Sequence, residues 1–455
     1  MLPRCGHSGR RARRVLLLVG LSGACATAGI DAATSAPLSY EDARAALHTV
    51  SDLQKSGEAG VNRSDYEARA ADSLGLPEVF VNATQIFGVK TGSIQGTPLG
   101  TLNFREDFTG PRSSINSTWS IYTGGRITAT QRALAAGAEQ ARAELTFTEE
   151  QLDLQLVQVY FGLELATNVE RTRTSILRQA DEQLERAVRF EKQGVIAKVE
   201  RLNAQVSRDE AARELVRAQR DREIAQARLQ RLLHRDAAVE PSTPLFVISD
   251  SLKPLSVWLS LAERQNPILA GFSAKNEQAQ QGIVIAESRW KPQIFAFGSY
   301  SFLKNYQTLV EPNWVAGIGV NFTLFSREDR GSKVSAAREA LRQVEALEAE
   351  ARNDIDSAVE TSYRKVDQAR EQFLLLDSTL TLARENLRLR ERGFDEGQAT
   401  SLDVNDARNA LARAETARAV AAYDFVVALA QLLESSGQAR TLPEFFQQAA
   451  FKLRP

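Results

Sequence analysis

Residue types that usually carry chemistry are scarce in this chain. Its two cysteines, Cys5 and Cys25, both fall near the N-terminus, and its three histidines, His7, His48 and His234, stand far apart. No His/Cys cluster has the spacing of metal ligands, and a body without cysteine has no thiol nucleophile and no disulfide to offer. Carboxylates are plentiful, but they sit on what read as solvated helix faces rather than in a constellation suited to acid–base work. One acidic pair stands out: Asp403 and Asp406 lie three apart and share a face if that segment is helical. The formal net charge of −1 leaves no basic excess to neutralise phosphates, which argues against nucleic acid as a partner. No catalytic, cofactor-binding or metal-binding residue is expected, and attention moves to the elements that carry the chain.

The N-terminus reads as an export signal. Arg10, Arg11, Arg13 and Arg14 precede a short apolar run from Val15 to Leu21, and Ala26-Thr27-Ala28 offers a cleavage site, so residues 1–28 are expected to be a signal peptide. The alternative is a lipidated Cys25, although Ser22-Gly23-Ala24 lacks the usual aliphatic residue three before the cysteine. The apolar run is well short of the roughly 18 residues that a membrane span needs. No later stretch is expected to cross a membrane as a helix, so entry into a membrane would require a β-barrel.

Prolines at 111 and 241, and at 312 and 443, bound two proline-free stretches rich in Ala, Glu, Arg, Leu and Gln. Proline costs roughly 3 kcal/mol inside a helix, so both stretches are open to long helices. Ile355, Val359, Val366, Ala369, Phe373, Leu376, Leu380, Ala383 and Leu387 follow steps of four and three, with Ser362 as the polar break. Leu152, Leu156, Val159, Leu163 and Ala166 do the same. Such stripes predict helices packed side by side. An offset of 203 carries Leu152 to Ile355, Tyr160 to Tyr363 and Gly194 to Gly397, which reads as a tandem duplication. The expected organisation is a first repeat over 38–233, a second over 255–437 and a tail over 438–455. Gly194 and Gly397 break the helical stretches near their middles, predicting two antiparallel hairpins with arms of roughly 60 residues, on the order of 90 Å.

Two strands precede each hairpin. The clearest runs from Trp314 to Phe325, with Trp314, Ala316, Ile318, Val320, Phe322 and Leu324 on one side as the expected lipid-facing set. Residues 91–112 and 303–312 read as connecting loops. Four strands are too few to close a membrane barrel, whose minimum is about 8, and an open edge cannot face lipid. Three copies giving twelve strands is the natural solution. The fold class expected is therefore mainly α with a small β part. Two hairpins alternating with two strand pairs favour a duct over the runner-up, a periplasmic adaptor or structural coiled coil.

The chain resembles the TolC-like outer-membrane efflux family. The resemblance rests on Leu38 to Ala43, Pro77, Trp119 with Tyr122-Thr123-Gly124-Gly125-Arg126, Asn266-Pro267-Ile268-Leu269, Arg289-Trp290-Lys291-Pro292, and Phe394-Asp395-Glu396-Gly397 with Asp403 to Ala407. Ser326-Arg327-Glu328-Asp329 departs from the glycine turn expected at the second joint between strand and helix. The resemblance implies a homotrimer in the outer membrane of a Gram-negative bacterium, with twelve strands in the lipid and a long helical tube in the periplasm. It implies a periplasmic adaptor and an inner-membrane pump or secretion transporter as partners, and passive conduction of their substrates. It implies adaptor-docking tips at Gly194, Val195, Ile196, Ala197, Lys198 and Val199 and at Gly397, Gln398, Ala399, Thr400, Ser401 and Leu402. It implies a periplasmic gate at Asp403 and Asp406. The family's basic partner in this loop is replaced by Ala399, which leaves Arg408 as the candidate latch.

Overall fold

The computed structural model describes residues 36–98, 100–107, 109–304 and 312–453. The expected signal peptide and most of the second connecting loop lie outside these residues. In chain order the elements are β1 (Ala36–Leu38), α1 (Tyr40–Val50), α2 (Asp52–Asp72), β2 (Glu78–Ile86), β3 (Val89–Thr97), β4 (Gly100–Asp107), β5 (Gly110–Tyr122), α3 (Arg126–Lys192) and α4 (Lys198–Leu232). There follow β6 (Val239–Pro241), β7 (Leu245–Val247), α5 (Leu255–Gln265), α6 (Pro267–Glu287), β8 (Gln293–Lys304), β9 (Trp314–Asn321), α7 (Arg330–Asp395), α8 (Ser401–Ser435), α9 (Leu442–Gln447) and β10 (Phe451–Leu453).

The long helices form where the heptad stripe predicts them. Ile355, Val359, Ser362, Val366, Ala369, Phe373, Leu380 and Leu387 are all buried. The arms are unequal, however. α3 and α7 have 67 and 66 residues, about 100 Å each at 1.5 Å per residue. The return helices α4 and α8 have 35 each. The half of α3 nearer the strands is covered instead by α2 and α6. Arg142 pairs with Asp65 at 2.6 Å, and Gln278 donates to Gln140 at 2.8 Å. A proline-free stretch permits a helix but does not oblige it to run on. Here the return helix stops because a small mixed layer takes over.

That layer holds the main core. β1 pairs in parallel with β6, and β7 pairs antiparallel with β10. Tyr40, Tyr160, Phe161, Phe246 and Phe425 pack beneath them, every one nearly fully buried. The Tyr160 hydroxyl donates to Leu38 O at 2.6 Å and accepts from the amides of Ser242 and Thr243 at 3.1 and 3.0 Å, so its polar tip is satisfied inside the core. α8 is long and apolar enough to pass for a membrane helix, against the sequence expectation. Its apolar residues, Ala422, Phe425, Val426, Leu429, Leu432 and Leu433, are spent in this core, so burial explains the composition.

β2, β5, β8 and β9 form one antiparallel sheet in that order. The register lines up Val79 and Val81 with Ser117 and Ile115, Ile115 with Tyr300, and Tyr300 with Trp314. Period-two alternation then gathers Val79, Val81, Ile115, Tyr300, Trp314 and Ile318 on one face, all exposed. The other face carries Asn116 hydrogen-bonded to Ser299 at 2.8 Å, and Phe295 and Phe297 lying over glycines. A Cβ at Gly319 would stand 2.5 Å from the Phe295 ring, and one at Gly317 would stand 3.0 Å from Phe297. Two corrections follow. β9 ends at Asn321, so Phe322 and Leu324 lie beyond the strand, both exposed. Residues 91–112 are not a loop: β3 and β4 pair as a separate hairpin, and β5 already starts at Gly110.

The two joints between strand and helix differ. Gly124 and Gly125, at φ 68° and 92°, make the first. At the second, Asp329 accepts from the Gly331 amide at 2.9 Å and caps α7, while Arg330 lies over the Trp290 ring at 5.0 Å and donates to Arg289 O at 3.0 Å. A side-chain cap thus replaces the expected glycine turn.

Gly319→Ala is expected to destabilise the sheet by about 1–3 kcal/mol through overpacking against Phe295. In a Phe295→Ala background the same Gly319→Ala change should cost little. Urea denaturation followed by tryptophan fluorescence reads both backgrounds, and an equal cost of Gly319→Ala in each contradicts the packing.

Candidate functional site at the helical tips

Both hairpins end in a tight turn at one end of the molecule. Gly194 and Gly397 adopt φ 72° and 73°, the left-handed conformation that closes a helix C-terminus. The Val195 amide returns to Phe190 O at 2.9 Å, and the Gln398 amide returns to Gly393 O at 2.7 Å. The two turns therefore share one hydrogen-bond pattern. The starts of the return helices do not. Ala197 gives α4 no side-chain cap. Thr400 caps α8 in a reciprocal box with Asp403.

The structure sorts the twelve tip residues by use. Val195, Val199 and Leu402 are exposed apolar side chains, a cost in water that a partner surface would relieve. Lys198 is exposed among them. Ile196 and Ala399 turn inward, onto a small cluster of Ala187, Ala204, Leu387, Phe394, Val404 and Ala407 that locks the hairpins together. The Phe190 and Phe394 rings lie 6.0 Å apart in the same place. Ser401 is buried.

Asp403 and Asp406 are in different situations. One Asp403 oxygen accepts from the Thr400 amide at 2.9 Å and its hydroxyl at 2.7 Å, and the other lies 3.5 Å from Arg390. The backbone bond above all holds this carboxyl below its ordinary value. Asp403 is thus first a helix cap. Asp406, one turn later, is exposed. Arg408 is no latch for either. It is only 2% exposed and faces Glu391 at 3.5 Å. The basic neighbour of Asp403 is Arg390 on α7.

Sequence reasoning missed a second contact. A Glu200 oxygen, from the first turn of α4, accepts from the Ser401 amide at 2.8 Å. It supplies a carboxylate to the N-terminus of the other hairpin's helix, where the backbone dipoles favour negative charge. Among the described residues, no three His, Cys, Asp or Glu side chains gather where a metal ion could be held.

Residues 258–438 match the family model described as outer membrane efflux protein. Over that stretch the chain is similar to the outer membrane efflux proteins. That model describes proteins of the outer membrane that act in efflux. Among solved structures, the fold is similar to the Campylobacter jejuni CmeC outer membrane channel, with a TM-score of 0.74 and 14% identity over 90% of this chain and 89% of that one. The Vibrio cholerae outer membrane protein VceC gives 0.72 and 14%, covering 88% and 96%. The open state of the Neisseria gonorrhoeae MtrE outer membrane channel gives 0.69 and 17%, covering 88% and 89%. At such identities the likeness establishes the fold. No curated protein sequence matches the chain.

Removing the Glu200 carboxylate should free the Ser401 amide. In Glu200→Ala, hydrogen exchange at Ser401 is expected to quicken about fivefold, equivalent to a loss of about 1 kcal/mol. Glu200→Gln, which keeps an acceptor, should stay close to wild type. Equal exchange in all three proteins would show that the contact carries no weight.

Proposed function

We propose that three copies of this chain close their sheets into one twelve-stranded barrel in the outer membrane and join their helices into a tube below it. The duct passively conducts substrates delivered by an inner-membrane pump or secretion transporter through a periplasmic adaptor, as in tripartite efflux or type I secretion. One observation carries this reading. The four-stranded sheet has an exposed apolar face but leaves β2 and β9 as open edges. Lipid accepts an apolar face and rejects an unpaired backbone edge. Pairing β9 of one copy with β2 of the next removes every edge at once.

The sequence of two helices, two strands in the main sheet, a 66- or 67-residue helix and a 35-residue helix occurs twice. That supports a duplicated chain divided near residues 38–233 and 255–437, and gives a trimer a near-sixfold wall. The exposed Val195, Val199 and Leu402 support the tips as the adaptor's docking surface. Asp403 and Asp406 are read as the gate, three copies bringing six carboxylates to one constriction and favouring cations there.

The body of the chain has no cysteine, so paired cysteines report the closure cleanly. One cysteine on β2, in the Val79–Val81 segment, and one on β9, in the Ile318–Val320 segment, are expected to give disulfide-linked dimers and trimers in outer membranes, with intrachain pairing absent. Exclusively monomeric product across a scan of both edges would sink the trimer. For the gate, Asp403→Asn with Asp406→Asn keeps the capping acceptor while removing both charges. Divalent-cation block of single channels in planar bilayers should weaken, and unchanged block would remove the gate assignment.

A further inference from the structure

Near the middle of α3, away from the tips and the sheet, four elements meet around buried charge. Asp153 is 3% exposed. It receives Arg44 Nε and Nη2 at 2.8 and 2.7 Å, and His48 Nε2 approaches the same carboxylate at 2.8 Å. The other ring nitrogen of His48 lies 2.6 Å from Gln54 Oε1 at the start of α2. The Gln54 amide nitrogen donates to Glu58 at 3.1 Å, which favours this orientation of the amide. Both His48 nitrogens thus face acceptors. A neutral imidazole has one donor only, so with the Gln54 oxygen turned to the ring only the imidazolium satisfies both contacts. One side chain on α1 then ties the α1–α2 corner to α3, but only while it holds two protons.

The same patch contains an acid whose proton matters equally. Glu150, one turn from Asp153, is 7% exposed, and its Oε2 finds no hydrogen-bond partner. It faces Glu434 at the end of α8, Asp153 and Glu149 on α3, and Arg440 just beyond α8, which is already engaged by Glu149 at 2.7 Å. On α1, Tyr40 stays a neutral phenol because burial pushes it upward, and Arg44 is committed to Asp153. No free cation among these groups can neutralise Glu150, so its charged form would add to a buried acidic cluster.

We propose that this patch is a proton-operated clasp: with His48 and Glu150 protonated it holds the α1–α2 corner and the end of α8 against α3, and it loosens as the protons leave. Both groups act in the same direction. Hydrogen bonding to Asp153 raises His48, so its stabilisation is complete below about pH 6.5 and is lost as pH climbs through the raised value. Burial, then Glu434, pushes Glu150 to about 8. The folded chain therefore holds this proton where the unfolded chain has released it, and stability falls between about pH 4.5 and 8. Asp153 is lowered, so its contribution changes only at more acidic pH. The clasp lies within one chain and does not depend on the trimer or its partners.

The test uses the full protein in detergent. Diethyl pyrocarbonate reacts with imidazole only in its neutral form, so the pH profile of His48 labelling, assigned to that residue by mass spectrometry, gives its midpoint directly. That midpoint is expected above that of a histidine peptide, and should fall in Asp153→Asn. A midpoint at or below the peptide's overturns the clasp. Separately, exchange protection of α1 and residues 436–442, corrected for intrinsic rate, should drop from pH 6 to 8.5 in wild type. The drop should shrink by half or more in Glu150→Gln, which carries no titrating proton. An undiminished drop in a folded Glu150→Gln also overturns it.

Discussion

A β-strand edge is a row of amides and carbonyls that must find partners, and hydrocarbon supplies none. β2 and β9 are two such edges, and between them lies a sheet whose outer face is valine, isoleucine, tyrosine and tryptophan. A soluble protein would cover that face with its own helices. Here the helices run away from the sheet for about 100 Å and leave it bare. The apolar face asks for lipid while the edges forbid it, and under the proposed function copies of the same chain would resolve the conflict without any new kind of contact. The glycines of β9 belong to the same solution, since Phe295 and Phe297 need the space above Gly319 and Gly317.

The helical part obeys a different constraint. α3 and α7 are too long for one partner each, so two shorter helices cover each in succession. α2 and then α4 flank α3, and α6 and then α8 flank α7. The mixed layer of β1, β6, β7 and β10 sits where the partners change, which is why the large aromatic core lies in the middle and not at either end. Toward the tips the packing thins to alanines, two phenylalanines and a few polar ties such as Glu200 to Ser401. Few buried contacts and several exposed hydrogen bonds mark the end of the molecule with the least local stability.

What could be read from the sequence divides along the same lines. The heptad stripe and the two tip glycines were legible because each is a local pattern with one structural meaning. Trp314 to Val320 was legible from its alternation. The β3–β4 hairpin was not, because residues 91–107 are rich in Gly and Thr and offer only Leu102 and Phe104 as an alternating apolar pair. The unequal lengths of the arms were missed, because the tip glycines fall past the middle of each proline-free stretch: α4 ends at Leu232, just before His234 takes φ 50°. Glu200 and Ser401 are 201 residues apart, and only the docking of two hairpins brings them together. Arg408 was misjudged because proximity to Asp406 in sequence says nothing about the buried stripe on which it falls.

The mass of the detergent-extracted particle probes the open-edge constraint most directly. Light scattering corrected for bound detergent is expected to give about three times the mass of one mature chain, with β-structure retained. A single-chain mass with the same β-structure intact would show that the sheet tolerates its free edges, and would contradict the closure on which the duct depends.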